Sequence, residues 1–262
     1  MLPNKKTWQA SLQNIKRLNR QDQRDAILRL GDDPSDCADL VLINLLDNTD
    51  PNIREQAMEV LCDRSNTFGR IAARALLEDS CTYVRNRAAD VLGLVGKRLD
   101  AHRLRLSLRD SDWVVRASAA DSLGRIGGKA AHPALVKGLK LDVNPVVRRD
   151  AAYALSHARD KRMVPVLEAA LSKEKSEQSR IGLFAGLYAL GQHDRLSDLL
   201  GLLRSGDDIV RHATVNQIEE VVLPADHNQA AQKLREMIAR EDNPGVKSDA
   251  AELLEKLTTP NV

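Results

Sequence analysis

The stretch YVRNRAADVLG (83–93) returns thirty-one residues later as VVRASAADSLG (114–124), with a valine, an arginine, an alanine pair and a leucine–glycine kept. A chain that repeats one phrase at a fixed period is built from one supersecondary unit. A single such unit cannot bury its apolar faces, whereas stacked copies cover one another. With the arginine as anchor, the same surroundings occur at Arg54, Arg85, Arg116, Arg148, Arg180, Arg211 and Lys247, spaced 31, 31, 32, 32, 31 and 36 residues apart. A weaker copy is centred on Gln23, followed by Ala26, Ile27, Leu30 and Gly31.

The residue before the anchor is Ile53, Val84, Val115, Val147, Val210 or Val246, with Ser179 the exception. Seven after it stand Leu61, Leu92, Leu123, Leu155, Leu187, Ile218 and Leu254; three after it, alanine predominates. Apolar residues at −1, +3, +4 and +7 form one stripe of a helix. Nine residues before the anchor a second apolar series begins, Leu45, Leu76, Leu139, Leu171, Leu202 and Ile238. The stretches between them (DNTDPN, EDSCT, RDSDW, LDVNP, EDNPG) combine helix stops with N-caps. Each unit is therefore predicted to be helix, turn, helix, with Gly96 and Gly127 as left-handed ends of second helices. The fold class is all-α: about eight stacked helix-turn-helix repeats in one domain over 1–262. Residues 1–34 form a degenerate N-terminal cap repeat, 35–223 the regular repeats, and 224–262 a C-terminal repeat after a longer loop around Pro224.

Six residues before the anchors stand Asn48, Asp79, Asp110, Asp142, Glu174, Ser205 and Glu241, so five of seven are acidic. An acid at the end of a first helix and a base at the start of a second both oppose their own helix dipoles. The expectation is mutual compensation, the acid of one unit pairing with a base of its own or an adjacent unit.

Taken together, Asp79 with Val84, Arg85, Ala88, Ala89, Leu92 and Gly93, and Asp110 with Val115, Arg116, Ala119, Ala120, Leu123 and Gly124, resemble the HEAT repeat family, especially the short bacterial HEAT-like or phycobilisome-lyase type. The resemblance implies a right-handed α-solenoid whose second helices line a concave face, and it agrees with the acid–arginine pairing. It is specific for fold and unspecific for function.

Chemistry is sparse. None of the six histidines joins a Cys, Glu or second His at a metal-ligand spacing. Di-iron deoxyhypusine hydroxylases, also HEAT-like, use His–Glu pairs, and here no His precedes a Glu. There is no P-loop, G-x-G-x-x-G or G-x-S-x-G; the glycine-rich GRIGGKAAHP falls where one helix pair ends and another begins. No catalytic residue, cofactor or metal is assigned, and the chain is read as not an enzyme. Cys37, Cys62 and Cys81 lack a C-x-x-C spacing and suit a reducing, cytoplasmic setting. MLPNKKTWQASLQNIKRL lacks a signal-peptide apolar run, and no membrane span is expected.

Function is read from the positions that vary. At +1, +2, +5 and +9 from the anchors, expected to face outward on second helices, stand nine acids and four bases. An acidic face repels phosphate, which sets nucleic-acid binding of the HEAT-like DNA glycosylase kind as an alternative reading that the charge pattern opposes. In the unit of Arg180 these positions are Ile181, Gly182, Ala185 and Ala189, beside Tyr153 and His157, and this apolar strip is expected to be a partner-binding surface. Glu59, Asp90 and Asp121 suggest a partner with a basic segment. The reading is a non-catalytic scaffold for a protein partner on its concave face, of an adaptor or inhibitor/immunity type. The family label offers an alternative, a bilin lyase-type or chromophore-chaperone subunit, in which Tyr153 and His157 line a tetrapyrrole site.

Overall fold

The computed structural model describes residues 5–259, which contain helices and turns and no strand. In chain order the α-helices are α1 (Lys5–Arg17), α2 (Arg20–Asp32), α3 (Asp36–Leu45), α4 (Pro51–Arg64), α5 (Asn66–Leu76), α6 (Thr82–Val95), α7 (Ala101–Ser107) and α8 (Trp113–Gly127). They continue as α9 (His132–Leu141), α10 (Pro145–Ala154), α11 (Val164–Leu171), α12 (Glu177–Ala189), α13 (Arg195–Gly201), α14 (Asp208–Val221), α15 (His227–Ile238) and α16 (Pro244–Thr258). Every anchor lies on an even-numbered helix, the second of a pair. The chain divides into two compact units, residues 1–127 and 128–262.

Second helices start where the turns supply caps. The side chains of Asp50, Asn144, Asp207 and Asn243 accept the backbone N–H two residues on, and Pro51, Pro145 and Pro244 occupy the first turn, where a missing N–H costs nothing. The repeated letters are the buried ones. Ile53, Val84 and Val115, then Ala57, Ala88 and Ala119, then Leu61, Leu92 and Leu123 are all inaccessible in the first unit; Val147, Ala151, Leu155, Leu187 and Ile218 are buried in the second. Leu171, Leu202, Ile238 and Leu254 are half-buried instead.

The anchor arginine has two tasks, and the turn edge shows both. Nη1 of Arg54, Arg85, Arg148 and Arg211 donates to the carbonyl six residues earlier in its own turn, at 2.7, 2.9, 3.0 and 2.9 Å. Nε and Nη2 of the same guanidinium grip the acid of the following unit, fork to fork. Arg54 holds Asp79 at 2.7 and 2.5 Å, and Arg85 holds Asp110 at 2.7 and 2.9 Å. Arg148 holds Glu174 at 2.8 and 3.0 Å, and Arg211 holds Glu241 at 2.6 and 2.7 Å. Such bidentate, charge-assisted pairs fix geometry as well as adding attraction. The acid is shared, because its oxygen also accepts the backbone N–H of Cys81, Asp112, Ser176 or Asn243 two residues on. Within each compact unit the expected ladder therefore runs between adjacent repeats, and each rung also locks a turn.

Departures from the pattern follow this division of labour. Gln23 donates to the Leu18 carbonyl (3.0 Å) and Lys247 to the Glu241 carbonyl (3.4 Å), keeping the turn lock without a fork. Asn48, the acid-free position, belongs to the unit after Gln23. Arg180 keeps its lock on the Glu174 carbonyl at 3.0 Å, and Ser205, where the next acid would be, donates to Glu177 at 2.5 Å. The segment around Pro224 forms a short 3-10 turn, Pro224–Asp226, rather than an open loop. The Tyr188 hydroxyl pins it, donating to Asp226 (2.6 Å) and accepting from the Leu223 N–H (3.1 Å).

The glycine expectation needs correcting. Gly96 has φ −69° and is not left-handed; a Cβ there would lie 2.2 Å from the Leu92 carbonyl oxygen, so close packing demands the glycine. Gly127 also lies outside the left-handed region, which is taken by its neighbour Gly128 (φ 53°).

Candidate functional site

The second-helix surface of residues 51–127 gathers carboxylates. Glu55 and Glu59 on α4, Asp90 on α6 and Asp121 on α8 occupy the outward register positions. None is among the buried residues. Arg87 on α6 stands among three of them. Its Nη2 is 2.5 Å from Glu59, its Nε 3.5 Å from Glu55 and its Nη1 3.7 Å from Asp90. Arg125 reaches Asp121 at 2.9 Å, one helical turn away. Exposed Tyr83 donates its hydroxyl to Glu55 at 3.0 Å, and Ser118 donates to Asn86 at 2.6 Å.

Four carboxylates and two guanidiniums leave this surface short of positive charge. Burial, and then Glu59 beside it, push the Glu55 carboxyl above its ordinary value. Burial likewise pushes Asp90 up against the opposing pull of Ser118 and Arg87, and Asp121 adds to the push. The sequence pattern singled out Glu59, Asp90 and Asp121, and the structure places them on one helical layer. It missed Tyr83, two residues before its anchor, where the signal was an aromatic in a position held by Asn52, Val114 and Val146 in neighbouring units.

The apolar strip is a correction. Ile181 and Ala185 are inaccessible to solvent, and Phe184 and Tyr188 are buried with them. They pack into a core with Leu196, Leu199, Val215, Ile218, Ala230 and Leu234. The cause is the pair of glycines between them. A Cβ on Gly182 would lie 2.0 Å from the Arg149 carbonyl oxygen, and one on Gly186 would lie 2.9 Å from that of Ala152. With no side chains there, α12 sinks onto the backbone of α10, and its charge-free stretch becomes interior. Ala189 remains exposed at the end of α12, and Tyr153 and His157 are half-buried. The Tyr153 and His157 rings meet edge to face with centroids 4.9 Å apart. The expected partner-binding set therefore loses Ile181 and Ala185 and keeps its acidic members on a surface.

Each compact unit has a cleft beside one of its turns. One of about 590 Å³ is lined by Lys140, Arg148, Lys173, Glu174 and Lys175, and one of about 350 Å³ by Asp47, Arg54, Glu78 and Asp79. Ladder rungs wall both, and neither lining contains a histidine, cysteine or tyrosine. Among the described residues no group of three His, Cys, Asp or Glu is placed to hold a metal ion, and no helix is long and apolar enough to cross a membrane.

Paired helices locked by rungs between adjacent repeats define a helical-repeat protein. The HEAT repeats family model matches residues 72–156, 101–187 and 133–219, more than half of the chain in all, and the chain belongs to that family. Among solved structures, the complex of CpcE and CpcF of phycocyanin lyase from Nostoc sp. PCC7120 is similar with a TM-score of 0.61 at 20% identity, over 84% of this chain and 94% of that chain. YIBA of Escherichia coli gives a TM-score of 0.48 at 19% identity, over 94% and 96% of the two chains. Human deoxyhypusine hydroxylase gives 0.41 at 17%, over 96% of each. At these identities the likeness concerns the fold. No curated protein matches the chain.

Proposed function

We propose that the protein is a non-catalytic scaffold that holds a protein partner on the second-helix face of residues 51–127, and that the partner presents a basic segment. One observation carries this reading. Glu55, Glu59, Asp90 and Asp121 crowd around Arg87 and Arg125, and two of the four carboxyls are pushed above their ordinary values. A surface selected for stability alone would relieve that crowding with another base. A cationic partner relieves it on binding, and the attraction fades as salt screens it. Tyr83 supplies a half-exposed aromatic beside Glu55, the type of residue that anchors interfaces.

The test uses the full chain and a fluorescent peptide of alternating arginine and leucine. Anisotropy titrations at rising salt compare wild type with the triple variant Glu59→Gln, Asp90→Asn, Asp121→Asn. The variant should bind about tenfold or more weakly, with a flatter salt dependence. Equal affinity and an equal salt slope for the two proteins would refute the reading.

A further inference from the structure

Residues 97–109 carry the strongest unpaired charge of the first unit. Lys97, Arg98, Arg103, Arg105 and Arg109 are all exposed. The single acid in this stretch, Asp100, is fully buried, where it pairs with Arg74 of α5 and accepts the Lys97 N–H at 2.7 Å. Asp110, which follows, is held by Arg85. Among the described residues Arg98, Arg103 and Arg109 have no ion-pair partner. No carboxylate of the stretch is left to offset this charge at the surface.

Apolar residues lie amid the charge. Leu99 is 67% exposed and Leu106 51%. Asp100, Leu104 and Ser107 are buried and fix which way α7 and its approach face. His102, Arg103 and Leu106 are exposed together on α7, and exposed Leu99 stands on the 3-10 turn Arg98–Asp100 that leads into it. Arg98 and Arg105 stand next to the two leucines in the chain. Two leucines rimmed by arginines are the arrangement of an interface centre and its rim.

The composition chooses among anionic partners. Four of the five bases are arginine, whose planar fork suits carboxylates bidentately and which interfaces favour over lysine. A bilayer responds to net charge, for which lysine serves equally, and a seven-residue helix with one exposed leucine offers little to insert. Single-stranded RNA is held by stacking on aromatic rings, and residues 97–109 contain no Phe, Tyr or Trp. We propose that this first-helix face is a second docking surface, and that its partner is an acidic protein segment whose apolar side chains cover Leu99 and Leu106 while its carboxylates meet the arginines. It would act independently of the acidic second-helix face.

The probe is a short amphipathic peptide of leucine and glutamate, titrated against the full chain. Controls are the same peptide with serine for leucine, phosphatidylcholine–phosphatidylserine vesicles, and a single-stranded RNA. The leucine–glutamate peptide should bind, and the serine version should bind roughly tenfold or more weakly. Arg103→Glu with Arg109→Glu should abolish binding, and Leu106→Ser should weaken it severalfold with unchanged thermal melting. The Glu59→Gln, Asp90→Asn, Asp121→Asn variant should leave this binding intact, which separates the two surfaces. Equal affinity for both peptides, indifference to the arginine reversals, or tighter binding of vesicles or RNA than of peptide would overturn the proposal.

Discussion

The positions one, two and five residues after the anchor have opposite fates in two parts of the molecule. On α4, α6 and α8 they hold, besides buried Gln56 and Ala117, Glu55, Glu59, Asn86, Arg87, Asp90, Ser118 and Asp121, none of which is buried. On α12 they hold Ile181, Gly182 and Ala185, all buried. The repeat register is the same in both, since Ser179 and Leu187 sit inside α12 as Ile53 and Leu61 do inside α4. What differs is the space a side chain needs at position +2. Gln56, Arg87 and Ser118 place a side chain there, whereas Gly182 lets α12 close onto the Arg149 carbonyl of α10. A single register thus carries a charged, partly exposed layer on α4, α6 and α8 and a buried one on α12, where Gly182 and Gly186 permit backbone contact.

The largest effect is expected where that closure is broken. Gly182→Val adds atoms where even a Cβ would be 2.0 Å from the Arg149 oxygen. The helices must part, and overpacking of this severity costs about 3 kcal/mol or more. Urea denaturation should show the loss, and Ile181 and Ala185 should gain exposure to solvent labelling. Arg87→Ala, at the corresponding position of α6, should cost less than about 1 kcal/mol. Comparable losses from the two variants would abolish the distinction between sunken and surface helices.

Much of this was legible in the residues. The valine, alanine and leucine stripe marked the stacked faces because burial tolerates only apolar side chains of limited size there. The recurrence of Asp79, Asp110, Glu174 and Glu241 marked the rungs, because an isolated surface acid has no reason to keep register. The burial of Ile181 and Ala185 is not legible in the residues, for a physical reason. Small apolar residues at an outward position describe a smooth surface and an interior equally well, and only the partner backbone distinguishes them. The i, i+4 spacing of Gly182 and Gly186 was the available signal, since two glycines on one helical face permit backbone contact. The second task of each anchor arginine was not legible, because a carbonyl acceptor leaves no letter in the sequence.

Acid should sharpen the contrast between the turn edge and the second-helix face. At the edge, burial pushes Glu174 upward, yet hydrogen bonds led by Arg148 bring its carboxyl from 4.5 to about 2. Arg211 above all brings Glu241 from 4.5 to about 2. A depressed carboxyl stabilises the fold fully above its unfolded value, so this contribution is lost as pH falls from 4.5 toward 2. Because Arg148 and Arg211 stay partly exposed to water, the loss is about 1 kcal/mol apiece. Glu55 and Asp90 have raised values and the opposite sign; they favour the fold when protonated, and that contribution disappears as pH rises through their folded values. Denaturation midpoints followed from pH 7 downward should fall across the lower window in wild type. In Arg148→Met with Arg211→Met the midpoint should be lower at neutral pH and much less pH-dependent below it.

The smallest effect belongs to the acidic face itself. Asp90→Asn removes a carboxylate whose ionised form is disfavoured by burial and by Asp121. The amide keeps the shape and can still hydrogen-bond Ser118. Stability at neutral pH should therefore stay level or rise by a few tenths of a kcal/mol, within the usual range for surface changes. The same change should weaken binding of the arginine–leucine peptide. Lost affinity with retained stability is the signature of a residue kept for a partner, and it is the reverse of the outcome expected for Gly182. A clear destabilisation by Asp90→Asn would instead place Asp90 in the structural framework, beside the ladder acids, and would leave the acidic face without a binding role to explain its crowding.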